Sequence, residues 1–257
     1  MKRTYLLACM SAMVLVCVTT MHAAQQPSCS RNRGDMRLRR LVAHALPATY
    51  AADPQWFEIA SDLVPHGSLS VVCASPGPPP ESTYTPPYVR LFLVSVLNGQ
   101  ARLLWSQELA PDNWCRALSL LRTKDGAVII SVISRPYAGS SARYHLRLFR
   151  YGMNRQSLEC LLETGFTDGT SAPLRGVGGG SVAFFVCEPV EKEASAKYRG
   201  TIYSQTRDGR YNVKSRFVTQ RPYTYGSIQS AYRELRRRFE KRLGPIYRWP
   251  DSLPNLD

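Results

Sequence analysis

The residue types that most often carry catalysis are few in this 257-residue chain, and none has the spacing of a known catalytic motif. Beyond residue 24 there are three histidines, His44, His66 and His145, and no HExxH sequence pairs any of them for zinc. No GxSxG or SxxK sequence marks an activated serine. Glu159 and Glu163 lie on a predicted strand and at its end. To act as an acid–base pair, their carboxyl groups would need a particular separation, which the sequence alone does not give. We therefore expect a non-catalytic protein without a metal or cofactor. The alternative is an extracytoplasmic hydrolase of an envelope polymer or glycan.

Cysteines are the second group of reactive side chains. Seven are present, and five follow residue 24: Cys29, Cys73, Cys115, Cys160 and Cys187. In an oxidising compartment, an odd number permits at most two disulfides within the chain. No CxxC spacing occurs, so neither a zinc ribbon nor a thioredoxin-like site is predicted. Cys73, Cys115, Cys160 and Cys187 are candidates for disulfides, and burial as a small apolar side chain is an equal alternative for each of them.

A basic amphipathic helix is predicted near the C-terminus. Apolar side chains recur there at spacings of three and four and form one stripe: Ile228, Tyr232, Leu235, Phe239 and Leu243. The opposite face carries four candidate contacts for an anionic surface: Arg233, Arg237, Arg238 and Lys241. Gly244 and Pro245 end the helix. A single stripe favours docking on the protein's own β domain, and contact with a lipid or polymer surface is the alternative.

The N-terminal residues have the order of a cleaved secretory signal. Lys2 and Arg3 precede an apolar stretch at 6–18 and a short polar stretch at 19–24. The apolar stretch is shorter than the roughly 20 residues that span a bilayer. We expect a leader at 1–24 and a periplasmic or secreted protein. A lipoprotein signal is disfavoured because no cysteine combines a long apolar core with a small residue before it.

The chain is strongly basic as a whole. It contains 33 lysine and arginine residues against 19 aspartate and glutamate residues, a formal net charge of +14. Such an excess attracts anionic polymers, lipid headgroups and nucleic acid. Because export disfavours nucleic acid, the expected partner is an anionic polymer or a protein, with peripheral contact to anionic lipid. These features predict an exported interaction or scaffold protein with a basic contact surface.

Three similar units occupy the middle of the chain. The short apolar strands SLSVVCAS, AVIISVIS and SVAFFVCE each follow a glycine, and each is followed by a longer hairpin. Asn98-Gly99 and Arg207-Asp208-Gly209 supply the positive φ angles that tight hairpin turns require. Every unit contains four predicted strands rich in Val, Ile, Phe, Tyr and Leu. The units are expected at about 55–110, 111–166 and 167–220.

A four-stranded antiparallel unit of about 56 residues resembles a β-propeller blade. The resemblance implies an all-β, mainly antiparallel fold with three blade-like repeats, one fewer than the smallest closed ring. A degenerate fourth blade from the termini, self-association that completes the ring, or an open curved stack would each accommodate three units. The flanking segments are a basic, partly flexible one at 25–54, with a short helix or mobile arm at 31–45, and one at 221–257 whose helix packs on the β domain.

Overall fold

The structure is a computed structural model that describes residues 33–51, 57–60, 63, 69–76, 88–123, 126–136, 143–152, 156–178, 181–191, 194–224 and 226–256. The predicted leader, Cys29 and His66 lie outside the described residues. The described residues from 37 onwards form one compact unit that contains all the described strands.

Antiparallel strands in chain order build the first two sheets. The first sheet contains β1 (Phe57–Ala60), β2 (Leu69–Ala74), β3 (Arg90–Leu97) and β4 (Gln100–Glu108). The second contains β5 (Trp114–Arg122), β6 (Val128–Arg135), β7 (Arg143–Gly152) and β8 (Ser157–Thr167). In both sheets each strand pairs with the next one along the chain. The predicted all-β, mainly antiparallel class is confirmed.

The third sheet has the same order with additions. Its main strands are β9 (Thr170–Gly176), β10 (Val182–Pro189), β12 (Tyr198–Gln205) and β13 (Tyr211–Val218). A fifth strand, β15 (Tyr247–Arg248), joins the outer edge of β9. A separate two-stranded pair consists of β11 (Ser195–Ala196) and β14 (Tyr223–Thr224). The three large sheets therefore share a repeat-like antiparallel order.

The turn between β3 and β4 shows how local sequence sets the register of a hairpin. Asn98 and Gly99 have φ angles of 51° and 76°, as a two-residue type I′ turn requires. With this turn in place, Arg90 at the start of β3 stands opposite Glu108 at the end of β4. Their side chains form an ion pair of 3.0 Å.

Each large sheet is buried on both faces. The helices are α1 (Arg33–Ala45), α2 (Ala48–Ala51) and α3 (Ile228–Leu243). On β2, Val71 and Cys73 pack against the second sheet, whereas Val72 and Ala74 pack against apolar residues of α1, α2 and the link between them. The same alternation on β6 and β10 places the second sheet against the third and the third against α3. Burial on both faces explains why these strands are apolar at nearly every position instead of alternating.

The C-terminal helix begins and ends where its sequence pattern predicts. At its C-terminal end, the backbone N–H of Gly244, which has a φ of 74°, donates a hydrogen bond to the carbonyl of Glu240. Of the predicted stripe, Tyr232, Leu235 and Phe239 are buried. On the facing strand β12, a Cβ at Gly200 would lie 2.8 Å from the Phe185 ring and 3.0 Å from the Phe239 ring. The absence of a side chain at Gly200 therefore allows α3 to approach the sheet closely.

Candidate anion-binding cleft

A cleft of about 500 Å³ lies between α3 and the segment that follows β13. The helix contributes Ser230, Arg233, Glu234 and Arg237. These positions share one face because residues three and four apart are neighbours on a helix. The opposite wall consists of Gln220, Arg221 and Tyr223, which stand at or just before β14.

Glu234 holds the two walls of the cleft together. One carboxylate oxygen accepts a hydrogen bond of 2.6 Å from the backbone N–H of Gln220, and the other accepts one of 2.9 Å from the hydroxyl of Tyr223. The guanidinium of Arg221 lies 5.1 Å from the centre of the Tyr223 ring, and its Nε donates to the Tyr223 hydroxyl at 3.2 Å. Glu234, the one acidic side chain among the described residues of the cleft, thus fixes the shape of the cleft.

The side chains of the cleft carry a net positive charge. Arg221, Arg233 and Arg237 supply three charges against the one of Glu234, a net of +2. All three arginines are exposed, and Arg233 is oriented by a 3.2 Å bond from its Nη2 to the hydroxyl of Ser230. A guanidinium presents parallel N–H donors that match two oxygens of a phosphate, sulfate or carboxylate group. The arrangement therefore suits an anionic group.

The four predicted contact residues do not all meet in this cleft. Arg233 and Arg237 line it, and Lys241 is exposed one turn further along α3. Arg238 instead turns towards the sheet, where its Nη1 donates to the carbonyl of Val218 and its guanidinium lies 5.1 Å from the Phe217 ring. Arg221 was missed by the sequence analysis, although its place among the aromatic residues of RPYTY is a signal for such a contact.

A second charged cluster lies inside the second sheet and involves His145. The carboxylate of Asp112, at 0% exposure, is 2.7 Å from His145 Nδ1 and accepts bonds from the Ser134 hydroxyl at 2.7 Å and Arg147 Nη1 at 2.6 Å. Arg147, 3% exposed, also donates through Nε to Glu163 at 2.9 Å. Burial alone would raise the pKa of Asp112, but bonds from His145, Ser134 and Arg147 outweigh it and hold this pKa below its usual value.

This cluster has the residue types of a catalytic site but the connections of a structural one. An activated serine donates its proton to a histidine, whereas the Ser134 hydroxyl donates to Asp112 and is buried. Arg147 also donates to the carbonyl of Ala110 at 3.0 Å, so the cluster joins β6, β7 and β8 to the link before β5. Glu159 does not take part, since it pairs on the surface with Arg150.

The four described cysteines are thiols, and no disulfide joins them. Cys160 is exposed on β8, where its thiol lies 3.5 Å from the carbonyl of Leu162. Cys187 is buried among the residues between the third sheet and α3. Cys73 and Cys115 are buried in the same apolar cluster between the first and second sheets.

Another cavity, of about 450 Å³, lies beside the first turn of α3 and the C-terminal segment. Several of its polar side chains bind this segment. Gln229 exchanges two hydrogen bonds with the backbone of Leu253, of 2.8 and 3.1 Å, and the hydroxyl of Thr170 donates to the carbonyl of Pro254 at 2.7 Å. These contacts hold the C-terminal segment against the sheets.

In the described part of the chain, no three His, Cys, Asp or Glu side chains come together as a metal site. Within the same residues, no helix has the length and apolar character needed to cross a membrane.

Comparison with known proteins gives no family. No protein-family model matches the chain, and none of the curated proteins matches it. Any functional conclusion therefore rests on the side chains and their geometry.

Proposed function

We propose that this is an exported, non-catalytic interaction protein that binds a linear anionic polymer through the arginine-lined cleft. The observation that supports the proposal is the convergence of Arg221, Arg233 and Arg237 around a concave surface. Among the described residues that line it, the one carboxylate, that of Glu234, already has two hydrogen-bond donors. Electrostatic attraction to such a surface concentrates anionic ligands before specific contacts form.

The basic residues beyond the cleft favour a polymer over a small anion. Arg233, Arg237 and Lys241 recur at every fourth residue of α3, about 6 Å apart along the helix axis. A chain of phosphate or sulfate groups can place one group in the cleft and the next ones beside Lys241. Because the apolar stripe of α3 is buried against the third sheet, an anionic lipid surface would be held by charge alone and is the weaker partner.

We further propose that the three sheets are blade-like repeats of a propeller type, arranged as an open stack instead of a closed ring. Helices cover the outer faces of the first and last sheets of this stack, and proteins built of stacked repeats need such caps at their ends to remain soluble. A partner copy that completed the ring would have to displace these helices. We therefore expect a monomer of 28.9 kDa less the mass of any removed leader, measured by light scattering during size-exclusion chromatography. A dimer or trimer of the intact protein in this measurement would contradict the open stack.

Export is part of the same proposal. The predicted leader at 1–24 supports a location in the periplasm or outside the cell, where an anionic envelope polymer would be within reach. The N-terminal sequence of the protein recovered from a native culture tests this, and the expected first residue is Ala24 or Gln25.

Binding to fluorescein-labelled polyphosphate, followed by fluorescence anisotropy at low salt, tests the proposed cleft. The double variant R233Q/R237Q should raise the Kd about tenfold, because each guanidinium supplies a charge-assisted contact. The slope of log Kd against log salt should fall by about one for each arginine removed.

A matched control distinguishes the cleft from net charge. R102Q/R207Q removes the same two charges from exposed positions on β4 and the β12–β13 turn, and it should change the Kd less than twofold. Equal losses in the two double variants would show that the polymer is attracted by total charge, and the cleft would then not be its site.

A further inference from the structure

Cys73 and Cys115 come from different sheets and meet in the apolar layer between them. Cys73 lies on β2 and Cys115 near the start of β5. The backbone N–H of Cys115 donates to the hydroxyl of Ser75, two residues beyond Cys73, at 2.9 Å. This bond holds the start of β5 against the end of β2, and both thiols are buried in the same apolar cluster.

We propose that Cys73 and Cys115 form a disulfide that joins the first sheet to the second, while Cys160 and Cys187 remain thiols. Cys187 lies between the third sheet and α3, in a different layer, and Cys160 is exposed on the edge strand β8. The proposal concerns the scaffold and does not depend on what the arginine-lined cleft binds.

The oxidation requires a disulfide donor such as oxidised glutathione. One thiol loses its proton, and its thiolate attacks the donor and releases one reduced glutathione, which leaves a mixed disulfide. The second thiolate then attacks the protein sulfur of that intermediate and releases the other glutathione. The two cysteines together lose two protons and two electrons, and the donor becomes two thiols.

Burial decides when this exchange can take place. Burial and the neighbouring Cys73 thiol raise the pKa of the Cys115 thiol well above its usual value, and the thiolate is the reactive form. The folded pair should therefore exchange slowly, so that the bond forms during folding and is afterwards protected from reductants. The segment between the two cysteines, residues 74–114, is long enough for such a bond to restrict the unfolded chain substantially.

Peptide mapping identifies the bond directly. The full chain is refolded with reduced and oxidised glutathione, unfolded without reductant, alkylated with iodoacetamide and cut with trypsin. Cys73 and Cys115 then fall in separate peptides, residues 41–90 and 103–116, and Cys160 and Cys187 in residues 156–175 and 176–192. We expect peptides 41–90 and 103–116 to be linked and the other two to be alkylated. Alkylation of both Cys73 and Cys115, or linkage of either to another peptide, would overturn the proposal.

Thermal unfolding provides a second measurement. The refolded, oxidised protein should have a Tm about 10 °C above that of the C73S/C115S variant, whereas C160S should leave the Tm within about 2 °C. The reductant TCEP should lower the Tm only after the protein has been unfolded and refolded in its presence. An oxidised protein no more stable than C73S/C115S would contradict a bond between the sheets. If C73S/C115S does not fold, the linked peptide in the wild-type protein still decides the question.

Discussion

Replacing Arg147 by methionine is expected to lower the free energy of unfolding by about 3–5 kcal/mol, the usual effect of removing one partner of a buried ion pair. Methionine is of similar length, but it leaves the carboxylate of Asp112 buried without the guanidinium that pairs with it at 2.6 Å. Among the described residues, the side chains of Ser134 and His145 remain as its partners. Urea unfolding at neutral pH, followed by circular dichroism, measures the change.

Arg150, three residues further along β7, offers a matched control. It pairs with Glu159 at 2.8 Å, but both side chains are substantially exposed, at 37% and 54%. Exposed pairs contribute about 0–1 kcal/mol, so Arg150→Met should have a small effect. Equal losses of stability in the two variants would show that the Asp112–Arg147 pair is not buried in solution.

The effect of Arg147→Met should also depend on pH. The pKa of Asp112 is lowered in the folded protein, so its ionised form stabilises the fold above its unfolded-state value of 3.8, and this contribution is lost as the pH falls through the folded-state pKa. Without Arg147, burial raises the pKa of Asp112, and the carboxyl becomes neutral at a higher pH. The stability difference between wild type and variant should therefore shrink as the pH is lowered from 7 towards 4.

The sequence predicted those parts of the fold that depend on residues close together in the chain. The turn at Asn98-Gly99 and the helix stripe ending at Gly244 depend on neighbouring residues, and both were found where expected. The order of layers was not predictable, because the contacts of Val72 with α1 and α2 join segments that are distant in the chain. A strand that is apolar at every position shows that both faces are buried, but it does not show what covers them.

The same distinction applies to the charged clusters. Arg147 stands opposite Glu163 in the β7–β8 hairpin, as Arg90 stands opposite Glu108 in β3–β4, so both pairs could follow from hairpin register. The contact between Asp112 and Arg147 could not be predicted in this way, because Asp112 lies in the link between the first two sheets and not in the β7–β8 hairpin.

The cleft depends both on short-range sequence and on contacts between separate segments. The spacing of Arg233 and Arg237 follows from the period of α3. The position of Arg221 depends on the bonds from Gln220 and Tyr223 to Glu234, which join two separate elements.

Replacing Phe239 by alanine is the other change with a large expected effect, again about 3–5 kcal/mol of unfolding free energy. The Phe239 ring is fully buried. Its centre lies 4.7 Å from that of Phe217, 5.8 Å from that of Phe185 and 5.7 Å from that of the Trp249 ring. Truncation leaves a cavity in the layer that attaches α3 to the third sheet. That layer includes Gly200, which has no side chain to fill the space.

Arg242→Ala, on the exposed side of the same helix, is the control for helix propensity and should change stability by less than about 0.5 kcal/mol. The two substitutions together decide whether α3 packs on its own protein or lies on a lipid surface. In the absence of lipid, Phe239 contributes to the stability of the protein only if α3 is packed against the third sheet.

If Phe239→Ala lowers the free energy of unfolding as little as Arg242→Ala, the apolar stripe of α3 is not packed and can contact lipid. The basic row of Arg233, Arg237 and Lys241 would then belong to a membrane-binding helix instead of a polymer-binding cleft.

If Phe239→Ala causes the large loss of stability, α3 is fixed against the third sheet. The cleft between α3 and Arg221 then has its shape before any ligand binds. A preformed cleft avoids the entropy loss of ordering its side chains on binding, so Phe239→Ala should also weaken polyphosphate binding even though Phe239 is not part of the cleft surface.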